Sequence, residues 1–310
     1  MSFPFFQLSA IMILYVFNPE HDLCLANGDG NFVPPQSALD FAKVCKGVMN
    51  TLYGDDAEVI VADEYAEWIS RHPDVGLDGI IPWGWNLRLK HQLEKQQAPL
   101  LLLPDDEWLR HVRKLQHRTT ILPLQSHAWS VTKEDELQEL LAEHHNIVMK
   151  APWSGAGRGL RWVTDAMTKN DVAWFVKTVA LQRCVIVEVR HNVKYNFAIE
   201  YHISNHEVIQ TGLSLFETQS GVFRHNRLLY DSEIRDMVGL DKGTETSFRS
   251  WLQLYVAPFY NGLLGIDLIC NDKDELYVCE MNLRHTMGMV AHSYLEFHPE
   301  CHGSIWQPPF

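Results

Sequence analysis

Gly155, Gly157 and Gly159 stand at every second position in the segment Lys150-Ala-Pro-Trp-Ser-Gly-Ala-Gly-Arg-Gly159. Residues without side chains let backbone N–H groups approach an anion such as a phosphate chain. Lys150 ahead of them and Arg158 among them add positive charge, and Ser154 adds a hydroxyl. The ordinary alternative is a hairpin turn that happens to have a lysine nearby, because glycine is common in turns.

A second cluster lies downstream. Asp267 is set in Leu263-Leu-Gly-Ile-Asp-Leu-Ile-Cys270, and Glu280 in Tyr277-Val-Cys-Glu-Met281. Both surroundings are apolar, where an acid without a partner is expensive. The turn Asn271-Asp-Lys-Asp274 between them predicts a hairpin. Opposed side chains on one face of a hairpin stand about 5 Å apart. Asn282 falls on the same face as Glu280 if the strand continues. Two carboxylates and an amide oxygen suit Mg²⁺, with Mn²⁺ as a second fit; a solvated strand face is the bland alternative.

The elements that must position these groups are legible from periodicity. Strands are predicted over Ile11–Phe17, Glu58–Ala62 and Gly79–Pro82, with helices over Ser37–Met49, Asp63–Ser70 and Asn86–Gln96 between and after them. Strands alternating with helices give an α/β arrangement with a parallel sheet. Helices over Asp105–Thr120 and Lys133–Glu143 follow. Ile147–Lys150 and Leu160–Val163 are strands that enter and leave the glycine-rich loop. A P-loop would run from strand into helix, and its G-x-x-x-x-G-K-[ST] pattern is absent, as is G-x-G-x-x-G. Val185–Val189, Asn196–His202, Glu207–Thr211, Leu264–Cys270 and Leu276–Met281 read as strands, Ser247–Tyr260 and Met287–Leu295 as helices. The polar stretch Ser220–Lys242 reads as an irregular loop.

A chain of 310 residues is too long for one small core. The reading divides it at 1–104, an α/β unit; 105–188, a unit with the glycine-rich loop; and 189–310, an α+β unit with the acidic face. A formal net charge of −13 opposes a nucleic-acid backbone as partner. No apolar run approaches the roughly 20 residues that cross a membrane. The six cysteines are scattered without a C-x-x-C pair, which fits reduced thiols in the cytoplasm. The apolar N-terminus lacks the basic region and cleavage site of a signal peptide, and Met12 is an alternative start. His298-Pro-Glu-Cys-His302 lacks the paired ligand pattern of a zinc site.

Taken in order, Lys150-x-Pro-x-x-Gly-x-Gly, then Val185-Ile-Val-Glu188, then Gly265-Ile-Asp267 with Glu280-x-Asn282-x-Arg284, resemble the lysine strand and flexible loop, the hinge and the metal signature of ATP-grasp enzymes. The resemblance covers roughly residues 105–295. It implies an ATP-grasp fold after a preceding α/β domain, with ATP and one or two Mg²⁺. It further implies that Lys150 touches the α-phosphate and that the main chain around Ser154–Gly159, with Gly155, Gly157 and Arg158, covers the β- and γ-phosphates. Glu188 and the backbone after it would hold adenine, and Asp267, Glu280 and Asn282 would hold the metal. Arg284, with Lys150, would serve the transfer itself. The family's earlier lysine is matched by Lys114, with Arg118 as the alternative. No obvious acid follows Glu188 for the ribose; Lys194 and Glu200 lie nearest. His285 is a candidate substrate contact, and Asn18-Pro-Glu-His-Asp22 with Asn27-Gly-Asp-Gly30 is a candidate acceptor contact or an ordinary turn.

The activity so implied is a ligase that activates a carboxylate as an acyl phosphate for an amine or thiol. Its substrate is a small molecule or peptide bearing that carboxylate, and a homodimer is compatible with it. A kinase acting on a hydroxyl and a non-catalytic nucleotide binder are the alternatives.

Overall fold

Leu14 and Val16 have no exposed surface, which sets the first strand at the centre of its sheet. In the computed structural model, which describes residues 12–155 and 159–308, β1 (Ile13–Val16) lies between β2 (Glu58–Ile60) and β3 (Gly79–Pro82). Both neighbours run parallel to it. Short apolar strands with helical crossovers give such a sheet, covered on its faces.

The second sheet comprises β4 (Ala128–Val131), β5 (Asn146–Lys150), β6 (Leu160–Thr164) and β7 (Val185–Val189). Its order is β4-β7-β5-β6, and every pairing is antiparallel. Ile147, Met149, Val185 and Val187 bury one face against Leu137 and Leu141 of the helix Glu134–His144 and Phe175 of the helix Lys169–Gln182.

The third sheet holds β8 (Val193–Ser204), β9 (Glu207–Gln219), β10 (Val222–Arg227), β11 (Gly262–Asn271), β12 (Leu276–Asn282) and β13 (Ile305–Trp306). Its order is β12-β11-β8-β9-β10-β13. Alternation divides its faces. Phe197, Ile199, Tyr201 and Ile203 of β8, with Leu264, Ile266, Leu268 and Cys270 of β11, pack beneath the helices Asp231–Val238 and Lys242–Tyr255. The other face carries Asn196, Glu200, Asp267 and Glu280. A further core joins the first strand's neighbourhood to the last long helix. Phe17, Val48 and Met49 pack with Val290, Ala291 and Leu295 of the helix Met287–Phe297. The fold is therefore mixed α/β, a parallel sheet beside two antiparallel ones.

Several expectations need correction. Ser220–Lys242 is not irregular: it contains β10 and the helix Asp231–Val238. The strand was hidden because its residues are mostly polar, and the helix buries only Ile234 and Val238, one turn apart. The helix expected to run from Asp105 to Thr120 ends at Leu115, and Arg118–Leu124 forms a separate 3₁₀ turn around Pro123. Ser37–Met49 breaks into Gln36–Cys45 and Val48–Tyr53. The helix expected from Ser247 starts at Lys242, where Asp241 accepts a capping bond from the Thr244 N–H, and it stops at Tyr255. The helices His21–Asn27 and Lys169–Gln182 and the strand β4 carried no sequence expectation.

Candidate active site

The second and third sheets face each other across a cleft of about 620 Å³. Lys150, at the end of β5, is 9% exposed, and its Nζ lies 2.6 Å from a carboxylate oxygen of Glu188 on β7. Burial alone would lower the lysine's pKa; the Glu188 charge overrides it and raises the pKa, so the ammonium stays charged. Gln125 donates to Glu188 Oε1 at 3.2 Å and to the Val278 carbonyl at 2.8 Å, tying this hinge to the third sheet. Leu124, Val148, Leu268 and Val278 line the neighbouring cleft wall. The ring of His191 stacks on Tyr277 with centroids 3.7 Å apart, bridging hinge and β12. This is an apolar slot with polar edges, suited to a flat heterocycle.

The glycine-rich loop begins where Ala151 N–H donates to the Gly159 carbonyl at 2.9 Å. Gly159 has φ +77, and a Cβ there would lie 2.9 Å from Ser154 Cβ. A Cβ on Gly155 would come within 2.2 Å of Asp22 Oδ2, so the loop rests directly on that carboxylate. Gly157 and Arg158 lie outside the described residues.

On β11 and β12, Asp267 stands directly opposite Glu280, and Gly265 opposite Asn282. The register shifts just after Asp267. Asn282 donates to Asp267 Oδ2 at 3.1 Å, and Arg284 Nη2 donates to Asn282 Oδ1 at 3.0 Å. Burial, then the Glu280 charge beside it, pushes the Asp267 carboxyl up to about 8. Among the described residues no three His, Cys, Asp or Glu side chains converge as a metal cluster. The donor set is thus two carboxylates and an amide, which is hard-cation chemistry. His298 and His302 pair with Glu300 and Glu233 instead.

Arg118 joins the two halves of the site. It is 6% exposed. Its Nη1 donates to the Ala151 carbonyl at 2.5 Å and to Ser154 Oγ at 2.8 Å, and its Nη2 pairs with Glu280. Lys114, the first choice for a phosphate cation in this region, is exposed and does not line the cleft. It projects from the last turn of the helix Asp106–Leu115, whereas the chain turns inward only at Arg118.

Arg284 makes a paired contact with Asp22, Nε to Oδ1 at 3.0 Å and Nη2 to Oδ2 at 2.9 Å. Asp22 belongs to the Asn18–Asp22 cluster, so that cluster reaches the site. His285 does not: it is 5% exposed, its Nδ1 lies 3.0 Å from the Trp83 carbonyl and its Nε2 2.5 Å from the Tyr53 hydroxyl. A carbonyl only accepts, so Nδ1 carries the proton and Tyr53 donates to Nε2. Burial pulls the His285 pKa down to about 4, and both ring nitrogens are used. Neither ribose candidate reaches the cleft as imagined. Lys194 pairs with Asp274 at 2.7 Å. Glu200 is 1% exposed under the first turn of the helix Met287–Phe297, where Ser214 and Thr286 hydroxyls donate to it at 3.1 and 2.9 Å.

No family model and no curated protein matches the sequence. Solved structures match the fold over nearly the whole chain. N5-carboxyaminoimidazole synthetase from Staphylococcus aureus, complexed with ADP, is 14% identical; the match covers 97% of this chain and 80% of that one, with a TM-score of 0.52. D-alanyl-alanine synthetase A from Vibrio cholerae is 13% identical over 94% of both chains, TM-score 0.54. Biotin carboxylase from Campylobacter jejuni, in complex with β-γ-ATP, is 12% identical and covers 93% and 71%, TM-score 0.55. The chain has the ATP-grasp fold. In that fold the cleft between the second and third sheets is continuous from the hinge at Glu188 to the acidic face at Asp267 and Glu280. No helix among the described residues is long and apolar enough to cross a membrane.

Proposed function

We propose that this ATP-grasp protein is a Mg²⁺- and ATP-dependent ligase that activates a carboxylate as an acyl phosphate and passes it to an amine or thiol. The observation that carries this reading is the facing pair Asp267 and Glu280, joined to Asn282 and Arg284, in the same cleft as Lys150 and Arg118. The solved structures of this fold with ADP or an ATP analogue support the nucleotide half of it.

Asp267, Glu280 and Asn282 fit Mg²⁺, because two half-buried carboxylates facing each other across a hairpin, beside an amide, form the all-oxygen donor set a hard cation takes, and Glu280 already carries a cation in the Arg118 guanidinium. Bound there, Mg²⁺ would neutralise the β- and γ-phosphate oxygens. Lys150 binds the α-phosphate side of ATP, and Glu188 with the backbone after it holds adenine. The main chain at Ser154, Gly155 and Gly159 covers the phosphates. Arg118 replaces Lys114 as the earlier cation. A substrate carboxylate oxygen then attacks the γ-phosphorus, the bond to the β–γ bridging oxygen breaks, and ADP departs. Arg284 steadies the charge on the transferred phosphoryl with its fixed fork of donors. An amine nitrogen attacks the acyl carbon, phosphate leaves with the bonding pair, and the nitrogen releases its proton. Ser154 and Gly155, packed against Arg118 and Asp22, help keep water from the acyl phosphate.

The test is to incubate the protein with Mg-ATP and pools of amino acids, short peptides and polyols, and to follow ADP and products by mass spectrometry. A new amide or thioester mass is expected. A phosphorylated compound that persists as end product would make the protein a phosphotransferase and contradict the proposal. ADP in no pool would leave only a nucleotide binder.

A further inference from the structure

We propose that this cleft reads the sugar of its nucleotide through the neutral amide of Asn196, and therefore takes 2′-deoxy- and 3′-deoxyadenosine nucleotides nearly as well as the ribonucleotides. This rests on the nucleotide half of the reading above and names the specificity of that site.

With adenine at the hinge by Glu188 and the phosphates between Lys150 and the acidic face, the sugar lies over the cleft floor that joins them. That floor is one cross-strand row of the third sheet. Tyr277 on β12 stands opposite Ile269 on β11, Ile269 opposite Asn196 on β8, and Asn196 opposite Phe216 on β9. All four line the cleft. Two residues along β8, about 7 Å, Ala198 stands beside Asp267. Asn196 is thus one row from the acidic face. Its neighbours in the row are an aliphatic chain and two rings, and the Tyr277 hydroxyl is already bonded to Glu275 at 2.9 Å. The Asn196 side chain is half-buried, and its amide has no hydrogen-bond partner among the described residues.

No carboxylate is left for the sugar. Among the described residues the acids lining the cleft are Glu188, Asp267 and Glu280. Glu188 is held by Lys150 and Gln125, and the other two face each other at the metal position. The acids just outside are engaged as well. Asp272 accepts from Asn192 at 3.0 Å, Asp274 pairs with Lys194 at 2.7 Å, and Glu275 accepts from Asn271 at 2.9 Å. The distinction has a size. Losing a charge-assisted bond to a carboxylate weakens binding about 10- to 150-fold, whereas losing a bond to a neutral amide costs about 2- to 10-fold. The amide has an acceptor in Oδ1 and donors on Nδ2, so it can serve either sugar hydroxyl and depends on neither. Because Asn196 is half-buried, water can take the place of a missing hydroxyl, and no polar group is stranded.

The test measures binding of ADP, 2′-deoxyADP and 3′-deoxyADP to the full chain by calorimetry with Mg²⁺ present, so that no acceptor substrate is needed. The wild-type protein should bind each deoxynucleotide within about tenfold of ADP. Asn196→Asp puts a carboxylate at the same position. Whatever it does to ADP affinity itself, it should raise the preference for ADP over at least one deoxynucleotide by about tenfold or more relative to wild type. A deoxynucleotide that the wild type binds more than about tenfold more weakly than ADP would show that another group reads the sugar, and would overturn the proposal. So would a preference left unchanged by Asn196→Asp in a variant that keeps its thermal midpoint. Either result leaves the nucleotide and ligase readings intact. ADP that does not bind the wild type at all would overturn the nucleotide reading along with this one.

Discussion

At the scale of single residues, the site is a set of charges that need one another. Asp267 and Glu280 face each other, and the first is pushed up to about 8 by burial and by the second. Asp267→Asn and Glu280→Gln should each cut ADP release by roughly 100-fold or more with the fold retained, as loss of a positioned charge-stabilising group does; turnover within a few-fold of wild type in both would sink the metal assignment. Glu200 gives a prediction of a different kind. Burial raises its carboxyl from 4.5 to about 7, its bonds from Ser214 and Thr286 lowering it only in part. The folded chain thus holds this proton more tightly than the unfolded one. The group's contribution to stability is present in acid and is lost as pH rises from the ordinary carboxylate range through about 7. Glu200→Gln should therefore raise the melting temperature by several degrees at pH 8 and by little at pH 5, measured by calorimetry; an equal shift at both would contradict a buried charge. The acidic pair was legible in the sequence because a hairpin turn separates two apolar runs. The partner of Arg284 was not, because Asp22 lies 262 positions away and only folding joins them.

At the scale of elements, the glycine-rich loop hangs from Arg118, whose guanidinium binds its stem and Glu280 together. In the proposed site, a cation at Asp267 and Glu280 would compete with that guanidinium, and a nucleotide phosphate would draw it away. Arg118→Ala should tighten Mn²⁺ binding to the nucleotide-free protein roughly tenfold and weaken binding of a non-hydrolysable ATP analogue by a similar factor, a coupling of ordinary size. Paramagnetic titration of Mn²⁺ and calorimetry with the analogue read the two arms; changes of the same sign would refute the exchange. Strand periodicity located β5, β7, β11 and β12, the strands that carry Lys150, Glu188, Asp267 and Glu280. Lys114, the first choice, lies outside the cleft lining for a local reason: the helix ends at Leu115, and the short turn that brings Arg118 inward has no apolar period to betray it.

At the scale of the whole molecule, the parallel sheet's surroundings and the helix Met287–Phe297 are locked together. Leu295 is 4% exposed and packs with Phe17, Val48 and Met49 from the parallel-sheet end, while Tyr53 bonds His285. Leu295→Ala should cost about 2–5 kcal/mol. If the parallel sheet and the helix Met287–Phe297 unfold as one body, a denaturant titration of this variant keeps a single transition at lower midpoint; two separated transitions would show that the units fold apart. Sequence periodicity foresaw a parallel sheet and, beyond it, the strands on either side of the glycine-rich loop and the acidic hairpin; the ATP-grasp arrangement came only from the resemblance, and neither showed that the last helix would return to the first strand, since nothing local encodes so distant a contact. The claim on which all of this converges is that a carboxylate attacks the γ-phosphorus of ATP in this cleft. The direct measurement supplies Mg-ATP, hydroxylamine and amino acids carrying ¹⁸O in their carboxylates, and weighs the phosphate released. Phosphate with one ¹⁸O beside stoichiometric ADP is the expected result; unlabelled phosphate, release of AMP in place of ADP, or no cleavage would contradict it.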